Sequence, residues 1–157
     1  MHRAQLLILV LALIMLPAES TAQAVLPTLN GQALEGVRSF DTHVRIATWL
    51  VEDEDRDRLR DNATSTFELA LRRDGVVVDR EAPNYLICEI WAAQSGGTMV
   101  YTYIVNYYTY ALSGVHRLEW RGGGIVTVGR RNFSTREVGQ DCADTFANEW
   151  LRWNPPG

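Results

Sequence analysis

The chain has 157 residues and a net charge of −4 at pH 7, with 15 basic against 19 acidic residues. This length fits a single domain with a sizeable hydrophobic core. The acidic balance argues against nucleic acid or an anionic membrane surface as the partner, because both attract basic surfaces. All 15 basic residues are Arg, so chemistry that needs a lysine amine is excluded.

The first 24 residues predict a secretory signal peptide. Arg3 precedes the apolar run 6–16, and Ala22 and Ala24 fit a small-residue cleavage site. The run is shorter than the roughly 20 residues that a membrane-spanning helix needs. We therefore expect an exported protein, periplasmic or secreted, whose mature chain begins near Val25 and has no membrane span.

The elements of the first half are predicted from periodicity. Residues 25–42 show no sustained period and are expected to form an irregular lead-in to one α/β domain over residues 43–157. Residues 43–51 alternate as a strand does. Apolar positions three and four apart predict a helix over residues 57–74, which Gly75 ends.

The second half is rich in extended segments. Three strands are predicted before the turn at Gly114, and a fourth strand is predicted after it. The glycines at 122–124 are expected to interrupt the last strand, before extended character resumes at 125–128. A capping box of Ser134 and Glu137 predicts a final helix to about residue 153. The predicted strands cover residues 76–79, 85–93, 100–112 and 115–121.

The predicted element order is β-α-β-β-β-β-α. This order indicates an α+β fold with an antiparallel or mixed sheet of four to five strands and two helices packed on one face. Cys88 shares a strand face with Leu86 and Ile90, and Cys142 lies on the apolar side of the last helix. An oxidising compartment favours a Cys88–Cys142 disulfide that joins this helix to the sheet, with two buried thiols as the alternative.

The C-terminal third carries a resemblance. Residues 122–129, the capped helix after them and the tail at 150–155 resemble the C-terminal segment of small uncharacterised exported proteins from bacteria. The resemblance implies a bacterial envelope or periplasmic setting and the α/β arrangement. It implies no activity and no catalytic residue.

Catalytic and metal-binding templates find little support. The chain contains no Gly-x-Ser-x-Gly, His-Glu-x-x-His, phosphate-loop or Gly-x-Gly-x-x-Gly motif. Asp53, Asp55 and Asp57 alternate as in the opening of a calcium loop, but Arg58 stands where that loop needs Gly and Thr64 where it needs Glu. We expect these acids to precede a helix start, where negative charge is favourable, and we expect neither a metal nor a cofactor.

Two surfaces are candidates for binding. Trp49, Tyr85 and Trp91 are predicted to face away from the helices and to form an aromatic sheet face, unless the lead-in or a second copy of the chain covers it. Arg130 and Arg131 precede the last helix, where they could hold an anion, or else be solvated or paired with nearby acids.

Two functions are consistent with these features. The first is a non-enzymatic binding or assembly protein of the bacterial cell envelope, which contacts a protein or a glycan through the aromatic face and can form homo-oligomers. The alternative is a small periplasmic hydrolase that combines His43 or His116 with a carboxylate such as Glu89 or Glu119.

Overall fold

A computed structural model describes residues 22–25, 30–50, 56–110 and 114–156, with residues 22–25 as backbone only. The predicted signal peptide lies outside the described residues up to position 21, as do Asp53 and Asp55 of the calcium-like segment. Asp57 lies in the first turn of a helix and pairs with Arg60 at 2.9 Å.

The described residues contain one six-stranded mixed sheet. Its spatial order is β1-β6-β5-β4-β2-β3, in which β2 runs parallel to β3 and β4 and every other pair is antiparallel. The strands are β1 (Ala22–Val25), β2 (Ser39–Leu50), β3 (Val77–Val78), β4 (Tyr85–Ser95), β5 (Thr98–Tyr110) and β6 (His116–Gly129).

Two helices cover one face of this sheet, α1 (Arg56–Arg73) and α2 (Thr135–Trp153). We call this side the helix face and the opposite side the distal face. The predicted α+β class, with a mixed sheet and two helices, is confirmed. Short β1 lies beyond the predicted element order, and it crosses the predicted cleavage position at Ala24.

The core lies between the helix face and the helices, because strand residues alternate between buried and partly exposed positions. Phe40 lies at its centre, with its ring edge-on to Tyr107 at 5.4 Å and to Phe146 at 5.1 Å. Cys88 and Cys142 are both fully buried and form the predicted disulfide between β4 and α2. The covalent bond therefore ties the last helix to the middle of the sheet.

The glycines at 122–124 do not interrupt the last strand, contrary to prediction. They continue β6 and pair with residues 103–105 of β5. A Cβ atom at Gly123 would lie 2.2 Å from the carbonyl oxygen of Tyr103, so β5 approaches more closely than a side chain would permit. Glycine is thus required by close strand packing here and does not mark a turn.

The lead-in is ordered where the structure describes it. The Asn154 side chain donates to the Leu34 carbonyl and accepts from the Gly36 amide, both at 2.9 Å. Trp150 Nε1 donates to the Val37 carbonyl at 2.8 Å. Residues 30–38 therefore lie against the end of α2, and strand β2 begins at Ser39, four residues before the predicted strand. Residues 30–38 therefore do not cover the distal face.

The final helix begins where predicted but without the predicted capping box. Ser134 is the N-cap residue, yet its side chain makes no capping hydrogen bond. The Ser134 carbonyl accepts from the Val138 amide at 3.3 Å, so the backbone alone starts the helix.

Candidate functional site

Four strands, β2, β4, β5 and β6, bring five aromatic rings together at one end of the distal face. Tyr85 stacks on Tyr108, with centroids 5.0 Å apart and an interplanar angle of 14°. The pairing explains this contact, because Tyr85 of β4 stands opposite Tyr108 of β5. We call this group the aromatic–histidine cluster; its members are His43, Tyr85, Tyr108, Tyr110 and His116.

The two histidines stand at the sides of the stacked pair. The His116 ring is edge-on to Tyr85 at 5.4 Å and to Tyr110 at 4.7 Å, since His116 pairs with Tyr110 across β5 and β6. The His43 ring is edge-on to Tyr85 at 6.1 Å, and its Nε2 atom lies 2.9 Å from a carboxylate oxygen of Asp41. The cluster therefore combines flat apolar rings with polar groups at their rim.

A hydrogen bond joins Tyr85 to His116. The Tyr85 hydroxyl lies 2.6 Å from His116 Nδ1. Burial, followed by the charges of Tyr108 and Tyr110, raises the pKa of Tyr85 above its ordinary value. The phenol keeps its proton at neutral pH, and the direction of this hydrogen bond depends on the imidazole tautomer, because either ring nitrogen can carry the hydrogen. Nε2 is the ring nitrogen that does not face Tyr85, and it can donate to or accept from a ligand according to that tautomer.

The cluster borders a cleft of about 800 Å³, which lies in the range of roughly 300–1,000 Å³ typical of small-molecule sites. Its lining is mostly apolar, with one carboxylate, two imidazoles and two tyrosine hydroxyls as its polar side-chain groups. The lining residues are Asp41, His43, Ala82, Pro83, Tyr85, Ile87, Tyr110 and His116.

A polar chain crosses four strands of the distal face beside the cluster. Arg45 lies 3.4 Å from Glu89, whose other oxygen accepts from the Asn106 side chain at 3.4 Å. Arg121 Nε donates to the Asn106 side-chain oxygen at 2.7 Å. Asn106 is fully buried, and each polar atom of its side chain has a partner in this chain. This row of polar contacts thus holds the Arg121 guanidinium in place.

The predicted aromatic residues separate in the structure. Tyr85 belongs to the cluster. Trp91 lies on the same face but six residues further along β4, a distance of about 20 Å in a strand. The predicted position of Trp49 is wrong: Trp49 pairs with Ala92, a helix-face residue, and its ring contacts Phe133 at 6.0 Å. The register shift between Ile46 and Thr48 moves Trp49 to the helix face.

The predicted arginine pair lies at the opposite end of the sheet from the cluster. Arg130 begins a short 3-10 turn, its amide bonds the Gly97 carbonyl at 2.8 Å, and its guanidinium donates to the Gln94 side chain. Arg131 is exposed. The partner of Arg130 is a neutral amide and not one of the expected acids, and anion binding by the arginine pair stays a prediction.

The histidine–glutamate pairs of the hydrolase alternative do not form. Glu89 contacts Arg45 and Asn106, while Glu119 accepts from Arg117 and from Thr109. The imidazole–carboxylate contact in the cleft is His43 with Asp41. The residues that line the cleft include no Ser, Thr or Cys nucleophile. No group of three His, Cys, Asp or Glu side chains in the described part of the chain could hold a metal ion.

Asp41, Asn106, Tyr108 and Arg121 were not among the residues singled out from the sequence. Alternation along β5 places Asn106, Tyr108 and Tyr110 on one face, which the sequence pattern could have shown. The face on which each residue of β6 lies could not be predicted in this way, because β6 has an extra residue near Glu119 that shifts its pairing with β5.

These features define a class: an α+β chain with two helices on one side of a mixed sheet and a ligand-sized cleft on the other. In fold, the chain is similar to a point-mutant form of the PelC dodecamer from Paraburkholderia phytofirmans, at 17% identity and TM-score 0.51, covering 83% of this chain and 96% of that chain. A second PelC dodecamer structure from this organism gives 16% identity and TM-score 0.50 over the same shares. No protein-family model and no curated protein sequence matches the chain.

None of the described helices has both the length and the apolar composition to cross a membrane.

Proposed function

We propose that this chain is an exported, non-enzymatic binding protein of the bacterial cell envelope that holds a glycan in the cleft beside Tyr85. The single observation that supports this most strongly is that Tyr85, stacked on Tyr108, lines a cleft with two imidazoles and a carboxylate. The disulfide supports export, because such bonds persist mainly outside the cytoplasm.

The chemistry of the cleft fits a sugar. A sugar ring has an apolar face that packs on a flat aromatic side chain, and its hydroxyls need donors and acceptors around the rim. His116 Nε2 can donate or accept according to the imidazole tautomer, and the Asp41 carboxylate is an acceptor. A protein partner is the less favoured ligand, because the aromatic group is concentrated at one concave end of the face and does not extend as a flat patch to Trp91.

Binding to a glycan microarray of bacterial surface saccharides tests the proposal. Tyr85→Ala should lose the signal of the wild-type chain, since it removes one ring of the stacked pair. Trp91→Ala is the matched control, an aromatic truncation on the same face about 20 Å away, and should retain it. Equal losses in both variants, or no glycan bound by the wild type, would contradict the proposal.

Self-association is a second proposal. The PelC chains that share this fold form dodecamers. Strand β1 pairs with residues 124–127 of β6, and three of its four residues precede the predicted cleavage position. Removal of residues 1–24 would therefore leave most of that edge of β6 without its partner strand, and unpaired strand edges recruit other chains.

Light scattering after size exclusion tests this second proposal. The chain that begins at Val25 should form oligomers, and a chain that begins at Ala22 should do so less, because it keeps β1. If both chains are monomers at the same concentrations, self-association through β6 is excluded. Fractionation of the native cells, with release of the protein alongside a periplasmic marker, tests export separately.

A further inference from the structure

We infer that the glycan bound in the cleft is acidic, and that Arg121 binds its carboxylate; this inference rests on the proposed function. The fold positions the Arg121 guanidinium but does not neutralise it.

Arg121 differs from other arginines near the cleft in its partner. Arg45 pairs with Glu89 and Arg117 with Glu119, so both of these charges have a carboxylate beside them. The partner of Arg121 is the neutral amide of Asn106. In the described part of the chain, no carboxylate forms an ion pair with Arg121. Its side chain is exposed, so the charge faces solvent.

The guanidinium is also held in one orientation. Its Nε group is fixed on the side-chain oxygen of Asn106, which is fully buried and bonded in turn to Glu89. The two Nη groups of Arg121 remain for a ligand, and together they match the two oxygens of a carboxylate. Less side-chain entropy is lost on binding because the donor is already ordered.

Arg121 lies next to the stacked tyrosines. It pairs with Asn106, and Tyr108 is the next residue of β5 on the same face. Diagonal neighbours on adjacent strands lie about 7–8 Å apart, within reach of long side chains. Arg121 is not itself among the residues that line the cleft, so a saccharide that starts on Tyr85 reaches Arg121 by extending past Tyr108 along the distal face. Across the polar chain, two guanidiniums face the one carboxylate of Glu89, while the Asp41 carboxylate of the cleft lies beside His43.

Calorimetric titration with trigalacturonate, and with its uncharged methyl ester, tests the inference. The wild type should bind the acid more tightly than the ester. Arg121→Gln should weaken binding of the acid about tenfold to a hundredfold, the range of a charge-assisted hydrogen bond, and leave binding of the ester unchanged. Glutamine keeps an amide donor for Asn106, and near-UV circular dichroism should match the wild type.

Arg117→Gln is the matched control. Arg117 lies on the same strand but pairs with Thr109, which points to the face opposite Tyr108 and Tyr110, and its side chain is 73% exposed. Its loss should leave binding of the acid as it was. A loss equal to that of Arg121→Gln would show only general attraction of an anion and would overturn the inference.

The remaining outcomes separate the two proposals. Equal binding of acid and ester, lost in Tyr85→Ala, would overturn the role of Arg121 and leave the glycan proposal standing. Failure of the wild type to bind either saccharide would overturn the inference, and the glycan microarray then decides whether the glycan proposal stands. Competition by hexaglutamate as strong as that by trigalacturonate would identify an acidic peptide as the ligand and overturn the saccharide assignment.

Discussion

The hydroxyl of Tyr85 and the Nδ1 atom of His116 lie 2.6 Å apart, although the two residues are 31 positions apart in the chain. Antiparallel pairing of β4 with β5 and of β5 with β6 makes this contact. It links the stacked tyrosines to an imidazole at the side of the cleft, so the orientation of a recognition group depends on the register of three strands.

Removal of this hydroxyl tests how much the contact stabilises the fold. Tyr85→Phe keeps the ring stacked on Tyr108 and should lower the free energy of unfolding by about 1 kcal/mol, the usual net value of one hydrogen bond. Urea denaturation measures the change. Adding His116→Phe to the Tyr85→Phe variant removes no further hydrogen bond at this contact, so no second loss of this kind is expected in the free energy of unfolding. A Tyr85→Phe protein as stable as the wild type would show that the contact contributes nothing to stability.

Two buried tyrosines predict a loss of stability at alkaline pH. Burial, followed by the charge of Glu119, raises the pKa of Tyr107 to about 12. Burial, followed by the bond to Asp141, also raises the pKa of Tyr101. Unfolded tyrosines titrate at pH ~10, so the folded state binds more protons above that pH. Stability from these groups is fully present below pH ~10 and is lost as the pH rises through the folded pKa values.

Denaturation midpoints measured from about pH 8 to about pH 11.5 test this effect. This pH range spans the pKa of tyrosine in the unfolded chain. Tyr107→Phe removes one of the two ionisable groups and keeps the ring in contact with Phe40. Its midpoint should therefore fall less steeply with pH than that of the wild type. Identical pH profiles of the two proteins would show that Tyr107 does not ionise in the unfolding transition.

The disulfide predicts dependence on an oxidising environment. A double variant, Cys88→Ala with Cys142→Ala, should lose about 2–4 kcal/mol of stability because the crosslink restricts the unfolded chain. The wild type in reducing agent should lose a similar amount once reduced. Since both sulfurs are fully buried, reduction of the folded protein should be slow and should track global unfolding. Rapid reduction without unfolding would contradict the burial.

The glycines of β6 predict a position-specific cost. Gly123→Ala should destabilise the chain by more than about 1 kcal/mol, the lower end of overpacking costs, because its Cβ would overlap the Tyr103 carbonyl. Gly97→Ala is the matched control, since no atom lies within 4 Å of a Cβ built there. Thermal unfolding of both variants should separate them clearly. Equal melting temperatures would mean that β5 and β6 relax apart at no cost.

Some elements were predictable because local periodicity and burial agree. Helix α1 was expected at residues 57–74 and lies at Arg56–Arg73, since one continuous apolar side packs on the sheet. The disulfide was predictable once Cys88 and Cys142 both fell on buried faces. Trp49 was placed on the wrong face because a single bulge reverses the alternation after it, and no residue pattern in β2 announces that bulge.

The sequence by itself determined the α+β class and the order of the long elements and favoured the Cys88–Cys142 pairing, because each depends on local periodicity or on the chemistry of one residue type. The tertiary structure alone decided which side chains meet. His43, Tyr85, Tyr108 and His116 come from four strands, and their contact is a consequence of cross-strand register. Register depends on long-range backbone pairing and on bulges, which the spacing of residues along one strand does not encode.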